Sequence, residues 1–317
     1  MRKSVLILGA RGLLGQALTK EFSNADYEVT AWDKSELDIT DKTKILEKIG
    51  ALRPEIIINA AAYNDVDKAE TEDSGVAFKI NAEAVGNLAE ASAQIGALFV
   101  HYSTDYVFKG DKIDGYTEDD APKPISVYGQ SKALGEQKLF SIFCHPEERS
   151  DEGSGTSAHI SRTREILRSA QNDNRGVYWY LIRTSRLFGP AGTGENVKKS
   201  FVDTMLKLGR EKETLDLIDE EVGSPTYAVD LARATRDLIE SGAPSGIYHR
   251  TNAGACTWYE WAKKIFELSG LGVKLNAVPA SHFPRPAARP KFSKLLTTKL
   301  PPLRSWEDAL AEYLTAR

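Results

Sequence analysis

Tyr128 and Lys132 stand four residues apart in Tyr128-Gly129-Gln130-Ser131-Lys132. On a helix that spacing sets a phenol and an ammonium on one face. An ammonium beside a phenol favours the phenolate and lowers the phenol pKa. Such a pair can pass a proton to a developing alkoxide while hydride arrives from a cofactor, and the ammonium can hydrogen-bond a ribose hydroxyl. Helices carry this spacing by chance, so its meaning depends on what precedes it. Upstream, Ser103-Thr104-Asp105-Tyr106-Val107-Phe108 follows an apolar run at 98–102. Ligands of open α/β sheets bind beyond the carboxyl ends of strands, and a hydroxyl there can polarise a carbonyl. Thr104 is the first choice for that role and Ser103 the alternative; a strand-end hydroxyl can also simply cap a loop.

The preceding feature that matters most is Gly9-Ala10-Arg11-Gly12-Leu13-Leu14-Gly15, between an apolar run and a helical pattern. Glycine lets the backbone turn sharply and approach a pyrophosphate, which then meets the N–H groups of a helix N-terminus. In this strand–turn–helix context, G-x-x-G-x-x-G marks a dinucleotide site, with Gly9, Arg11, Gly12, Leu13 and Leu14 in contact. Asp33 ends the second apolar run and can accept bonds from the ribose 2′-OH of NAD. Arg11 and Lys34 can instead meet a 2′-phosphate, so NADH and NADPH are both expected. Asn59-Ala60-Ala61-Ala62-Tyr63 closes the third run. Its small residues let the backbone approach the cofactor, or else form a turn packed beneath a helix.

These residues need a scaffold. Apolar, β-branched runs at 5–8, 28–32, 56–59, 98–102 and 177–183 read as strands. Between them, 13–22, 43–49, a long helix within 76–95, and 128–140 have helical spacing. Continuous apolar strands separated by helices imply an α/β fold, a Rossmann-type doubly wound parallel sheet covered on both faces. After Thr184 the pattern loosens. Residues 201–208, 229–241, 257–269 and 305–315 read as helices of a smaller mixed α/β substrate lobe. The expected division is 1–183 for the NAD(P)-binding domain and 184–317 for the substrate lobe.

Residues 141–175 break the rhythm. They are polar and glycine-containing, with one weak helical patch at 163–170. Such a stretch buries too little apolar surface to offset its ordering entropy and reads as an exposed insertion. It resembles translated palindromic repeats that enter bacterial genes, which favours a tolerated passenger over a working lid.

Whole-chain properties exclude several classes. The net charge is −4 over 317 residues, and acids and bases are interspersed, which does not indicate a nucleic-acid surface. The apolar run after Met1-Arg2-Lys3-Ser4 is too short for a signal peptide, and no stretch approaches the length of a membrane span. Cys144 and Cys256 lack metal-ligand or disulfide-framework spacing. A cytoplasmic location is expected. Trp258 and Trp261 read as core aromatics, and His249 as a strand-end packing residue. Arg285 and Arg289, in a Pro-containing loop, either grip a diphosphate or solvate the loop.

Together these motifs resemble the extended short-chain dehydrogenase/reductases, and within them the dTDP-4-dehydrorhamnose reductase family. The match covers nearly the whole chain outside 141–175. Its further markers are Leu37-Asp38-Ile39-Thr40-Asp41, Val66-Asp67-Lys68-Ala69-Glu70, Gly135-Glu136, Arg183-Thr184-Ser185 and Gly223-Ser224-Pro225-Thr226. The most telling pieces are Ser-Thr-Asp-Tyr-Val-Phe and Gly-Ser-Pro-Thr. The resemblance implies Thr104, Tyr128 and Lys132 as the catalytic trio. It sets Asp38 and Ile39 near the adenine, Ala60, Ala61, Ala62 and Tyr63 along the cofactor, and Asp105 and Tyr106 near the sugar. It implies a dTDP-sugar substrate, NADPH or NADH, and a possible homodimer. Some relatives hold Mg²⁺ at a dimer interface; its acidic ligands are not placed in this chain, so no metal is expected. The chain departs from the family at Arg186, where a Trp that contacts the deoxyhexose is usual. Arg186 can reach a sugar hydroxyl or a phosphate instead, and with Arg285 completes the expected substrate set. The departure also keeps open another nucleotide-sugar reductase or epimerase. A non-catalytic regulatory relative is disfavoured by the intact trio.

Overall fold

The computed structural model describes residues 2–144, 178–194 and 199–317. From the amino terminus the chain forms β1 (Lys3–Leu8), α1 (Leu13–Asn24), β2 (Tyr27–Trp32), α2 (Lys42–Leu52), β3 (Ile56–Asn59), α3 (Val66–Glu70) and α4 (Ser74–Phe78). A π-helical turn (Lys79–Glu83) leads into α5 (Ala84–Ile95) and β4 (Leu98–Thr104). A 3-10 turn (Asp105–Val107), α6 (Val127–Phe143) and β5 (Trp179–Thr184) follow. Beyond these come β6 (Leu187–Phe188), α7 (Phe201–Glu211), β7 (Thr214–Ile218), β8 (Thr226–Tyr227), α8 (Ala228–Ser241) and β9 (Gly246–His249). The chain closes with α9 (Trp258–Ser269), β10 (Lys274–Val278) and α10 (Trp306–Thr315).

Six strands form one parallel sheet in the order β2-β1-β3-β4-β5-β9. Side chains alternate across a strand, so a strand buried on both faces must be apolar throughout. In β1, Leu6 and Leu8 feed the core beneath α2, α5 and α6, while Val5 and Ile7 feed the core beneath α1 and α8. The winding direction reverses between β1 and β3. That reversal opens a crevice at the carboxyl ends of the strands, where such sheets take ligands. The α/β doubly wound sheet expected from the sequence is present.

A third core joins α7, α9, α10 and the parallel β7–β10 pair, with Phe188, Met205, Trp261, Phe266 and Trp306 buried in it. This smaller lobe does not hold everything after residue 184. β9 returns to the large sheet, pairing with β5 from Tyr180↔Gly246 to Arg183↔His249. Leu231, Leu238 and Ile239 of α8 complete the core that α1 began. A cut at 183/184 therefore leaves the sixth strand and one covering helix on the carboxy-terminal side. Helices α6, α7, α8, α9 and α10 begin and end within three residues of their expected limits.

The helix expected within 76–95 is instead α4, the π turn and α5. The extra residue in a π turn re-aims a side chain. Here Asn81 is turned inward and 1% exposed; its amide accepts from the Tyr63 N–H at 2.9 Å and donates to the Tyr63 carbonyl at 2.9 Å and Ser131 Oγ at 3.0 Å. Ser141 to Phe143, assigned to the insertion, complete α6 with Cys144 as its C-cap. The rest of the 141–175 segment, its helical patch included, lies outside the described residues. Among the described residues no helix is long and apolar enough to cross a membrane.

Candidate active site

A cleft of about 770 Å³ opens at the carboxyl ends of β1, β3, β4 and β5 and is closed on its far side by Phe201, Trp258 and Trp261 of the smaller lobe. Gly9, Gly12, Leu13 and Leu14 line its start. Gly9 has φ +73°, and a Cβ there would lie 2.7 Å from the Ala61 amide nitrogen. A Cβ on Gly15 would collide with the Gly9 carbonyl. The glycines thus let β1, the β3 end and α1 converge without side chains between them. Gly12 caps α1 with no side-chain acceptor, leaving the first helical N–H groups for an anion. These features fit a dinucleotide diphosphate.

Asp33, Lys34, Asp38, Ile39, Ala60, Ala61 and Ala62 continue the lining. Burial raises the Asp38 carboxyl, but bonds from Thr40 and the Lys34 and Lys79 charges outweigh it and hold it below its ordinary range. Asp33 also borders a side pocket of about 360 Å³ that holds Arg11, Lys20 and Glu36. Arg11 lies there, 3.3 Å from Glu36, and not in the main cleft. Tyr63 is turned away too. Asn81 grips its backbone, and its phenol donates to Asp73 at 2.8 Å. Of the residues expected along the cofactor at 60–63, the three alanines line the cleft and Tyr63 does not.

Thr104, Tyr128 and Lys132 all line the cleft. Thr104 ends β4 and caps the following 3-10 turn, accepting from the Tyr106 N–H at 3.2 Å, so the capping and site roles coexist. Its hydroxyl donates to Asp105 at 3.1 Å. Ser126 caps α6 through the Gly129 N–H, which fixes where Tyr128 and Lys132 emerge. Lys132 is 2% exposed and donates to the Tyr102 carbonyl at 2.6 Å. Burial depresses its pKa from 10.5 to about 8, against a raising effect from Glu136. The expectation that Lys132 lowers the Tyr128 pKa is corrected. Burial pushes the phenol above its ordinary range, Asp105 and Tyr106 add to this, and only a bond with Thr104 opposes it. Tyr128 is thus a neutral phenol holding a proton to give.

Ser103 and Thr184 also line the cleft; both are buried, with hydroxyls that find no partner among the described residues. Asp105 stands behind Thr104, 2% exposed, and accepts from Ser293 at 2.6 Å. Burial holds its carboxyl above the ordinary range. Tyr106 sits edge-on to Tyr128 at 5.6 Å. Neither Asp105 nor Tyr106 forms the cleft wall; they support the residues that do.

Arg186 does line the cleft, in a left-handed backbone conformation at φ +44° that is uncommon for a side chain of its size. Its guanidinium donates to the carbonyls of Cys256 and Glu221, each at 2.7 Å, and lies 4.0 Å from the centre of the Trp258 ring. Gly223 leaves the space it needs, since a Cβ there would meet Arg186 Nε at 2.5 Å. Trp261 is buried in the smaller lobe's core as expected, 1% exposed, while bordering the cleft; Trp258, less deeply buried, packs against that core, borders the cleft and donates to Glu221 at 3.0 Å. Arg285 is bound to Glu221, and Arg289 makes two bonds to Asp67 at 2.8 and 2.7 Å. Neither borders the cleft, so the loop arginines serve as ties between segments.

Sequence reasoning read Asn59 only as the head of the Asn59–Tyr63 turn and passed over His101; the two lie side by side in β3 and β4 behind Lys132. Their signal was a polar residue inside each of two apolar strands.

Comparison with known proteins gives one consistent result. A family model described as the RmlD substrate binding domain matches residues 1–145 and 169–317. The spore coat polysaccharide biosynthesis protein SpsK of Bacillus subtilis is 36% identical over 99% of this chain and 97% of its own length. A dTDP-4-dehydrorhamnose reductase of Aggregatibacter actinomycetemcomitans is 35% identical over 93% of this chain and 91% of its own. The crystal structure of dTDP-4-dehydrorhamnose reductase from Bacillus anthracis in complex with NADP superposes with a TM-score of 0.84 at 34% identity, covering 100% of both chains. The fold alone is shared with UDP-glucose 4-epimerase of Thermus thermophilus, at TM-score 0.72 and 19% identity.

Proposed function

The chain belongs to the RmlD substrate binding domain family, that of the dTDP-4-dehydrorhamnose reductases, and from this premise we propose that it reduces the 4-keto group of dTDP-4-dehydro-6-deoxy-L-mannose to give dTDP-L-rhamnose, using NADPH or NADH. The observation that carries the reading is the convergence of Thr104, Tyr128 and Lys132 on a single cleft that begins at the glycine loop. When bound, the dihydronicotinamide supplies a hydride, two electrons and a proton, to the carbonyl carbon. The carbonyl π pair moves to oxygen, and Tyr128 gives that oxygen its phenolic proton. Thr104 offers a hydroxyl to the same oxygen. Lys132, which donates to the Tyr102 carbonyl, holds the nicotinamide ribose in this reading. Gly9, Gly12 and the start of α1 take the diphosphate, with Asp33 at the adenosine ribose.

Arg186 favours a second reading with the same chemistry and a different sugar. A guanidinium with further N–H donors, set over Trp258, offers a hydrogen-bonding wall where an apolar ring would suit a 6-deoxy carbon. A hexulose with an oxygen at C6 would use it.

Oxidation of NADPH and NADH, followed with dTDP-4-dehydro-L-rhamnose, tests the first reading. Wild-type turnover should exceed that of Tyr128→Phe by at least about a hundredfold, the scale of general acid catalysis. Equal rates for the two proteins would reject it. Turnover of a C6-oxygenated dTDP-hexulose in preference to the deoxy sugar would establish the second.

A further inference from the structure

Behind Lys132 lies a row of buried polar groups that the reaction scheme does not use. Asn59, His101 and Lys132 are 0%, 1% and 2% exposed. Asn59 Oδ1 accepts from the Ala61 N–H at 3.1 Å, which fixes which way its amide faces. Its Nδ2 then lies 3.1 Å from His101 Nδ1, and His101 Nε2 lies 3.5 Å from Lys132 Nζ. An amide nitrogen can only donate, so Nδ1 must accept, and the neutral ring must carry its proton on Nε2.

We propose that His101 is a positioning residue for Lys132: Asn59 locks its ring as the Nε2–H tautomer, which turns an N–H rather than a lone pair toward the lysine nitrogen. This deepens the reductase reading, because Lys132 belongs to the proposed trio. A donor facing the ammonium opposes its charged form, whereas the free amine can accept from Nε2–H. Held this way, Lys132 is directed to the Tyr102 carbonyl and the cleft and not into the sheet. The same Asn59 holds the Ala61 amide in the cofactor-facing strand end, so one side chain sets both the cradle and the lysine.

Lys132 has few other ionisable neighbours. Glu136 lies one turn on in α6, and its carboxylate is taken by Arg183 of β5 at 2.9 and 2.7 Å. Tyr128 shares the same face of α6. Burial and the Lys132 charge keep His101, on β4, neutral, against a raising effect from the Asn59 backbone.

The test needs no substrate, so its failure is separable from failure of the proposed reaction. The full chain is labelled with ¹⁵N at histidine and lysine, and His101→Gln assigns the imidazole signals. The unaltered chain should show His101 with an unprotonated Nδ1 and a protonated Nε2. In Asn59→Asp, an isosteric acceptor replaces the donor, and the ring proton should move to Nδ1. The Lys132 titration midpoint should rise by about one unit in both His101→Gln and Asn59→Asp, since each can turn an acceptor toward the ammonium. A protonated Nδ1 in the unaltered chain overturns the proposal. So does a Lys132 midpoint that stays fixed in His101→Gln, or a tautomer that stays fixed in Asn59→Asp.

Discussion

Lys132 keeps its proton at neutral pH by a narrow margin, and this sets a pH limit on the chemistry. Burial has brought its pKa down to about 8. Below that value the ammonium is present to hold the ribose; above it the amine is neutral and the grip weakens. The rate constant kcat/KM reports the free enzyme. It should therefore fall on the alkaline side with a midpoint near 8. Lys132→Arg, which keeps its charge throughout, should erase that limb; a limb unmoved in Lys132→Arg would assign the ionisation to another group. Arg186 makes a different residue-scale prediction. Arg186→Trp should lower KM for the deoxyhexulose by about tenfold, the worth of one good apolar contact, while NAD(P)H affinity changes less than twofold. Steady-state kinetics with each substrate varied separates the two effects. Thr104, Tyr128 and Lys132 could be brought together from the sequence because a glycine loop and a strand-end hydroxyl precede the Tyr–Lys spacing, and all three line the cleft. Tyr63, Asp105, Tyr106 and Arg285 do not border the cleft that local sequence pointed them to. Their directions are set by Asn81, Ser293, Tyr128 and Glu221, partners 18 or more residues away along the chain. Trp258 and Trp261, at i and i+3 on one helix face, both pack in the smaller lobe's core and both border the cleft, and local sequence does not show which lies deeper.

Among the elements, α6 bears the greatest mechanical duty, since it carries Tyr128 and Lys132 and must sit at a fixed height against the sheet. Glu136 on α6 makes a two-pronged bond with Arg183 on β5, both side chains 1% exposed. Removing one partner strands the other charge in the interior. Glu136→Ala should therefore cost about 3–5 kcal/mol, measured by urea unfolding, and lower kcat as α6 loosens. On the opposite side, Gly15→Ala should abolish NAD(P)H binding, seen by fluorescence titration, because α1 can no longer sit against the Gly9 carbonyl. Apart from the five-residue α3, the helices and the first five strands of the large sheet were legible from apolar periodicity. The π turn was not, since one extra residue in a helix leaves no compositional trace. Strands β7 and β10 were missed as well. They are five residues each and pair only with one another, outside the large sheet whose strand–helix rhythm marked the other strands.

At the scale of the whole molecule, the cleft is made by two lobes whose sequences interleave. The division at 183/184 was read where the regular strand–helix rhythm ends. The return of α8 and β9 to the large sheet could not be seen there, because sheet order is a long-range property. The family match passes over residues 146–168. Excising those residues should leave kcat/KM within about twofold and the melting temperature within a few degrees, as loop length is thermodynamically inexpensive. A loss of activity on excision would show that the segment contributes to catalysis.

The place of β9 at the sheet's edge has a consequence for biosynthesis. Gly246–His249 leaves the ribosome late, and until then β5 offers a bare row of hydrogen-bonding groups to any passing strand. A message truncated before codon 246 would therefore encode a sticky fragment, and not a smaller protein able to capture a dinucleotide.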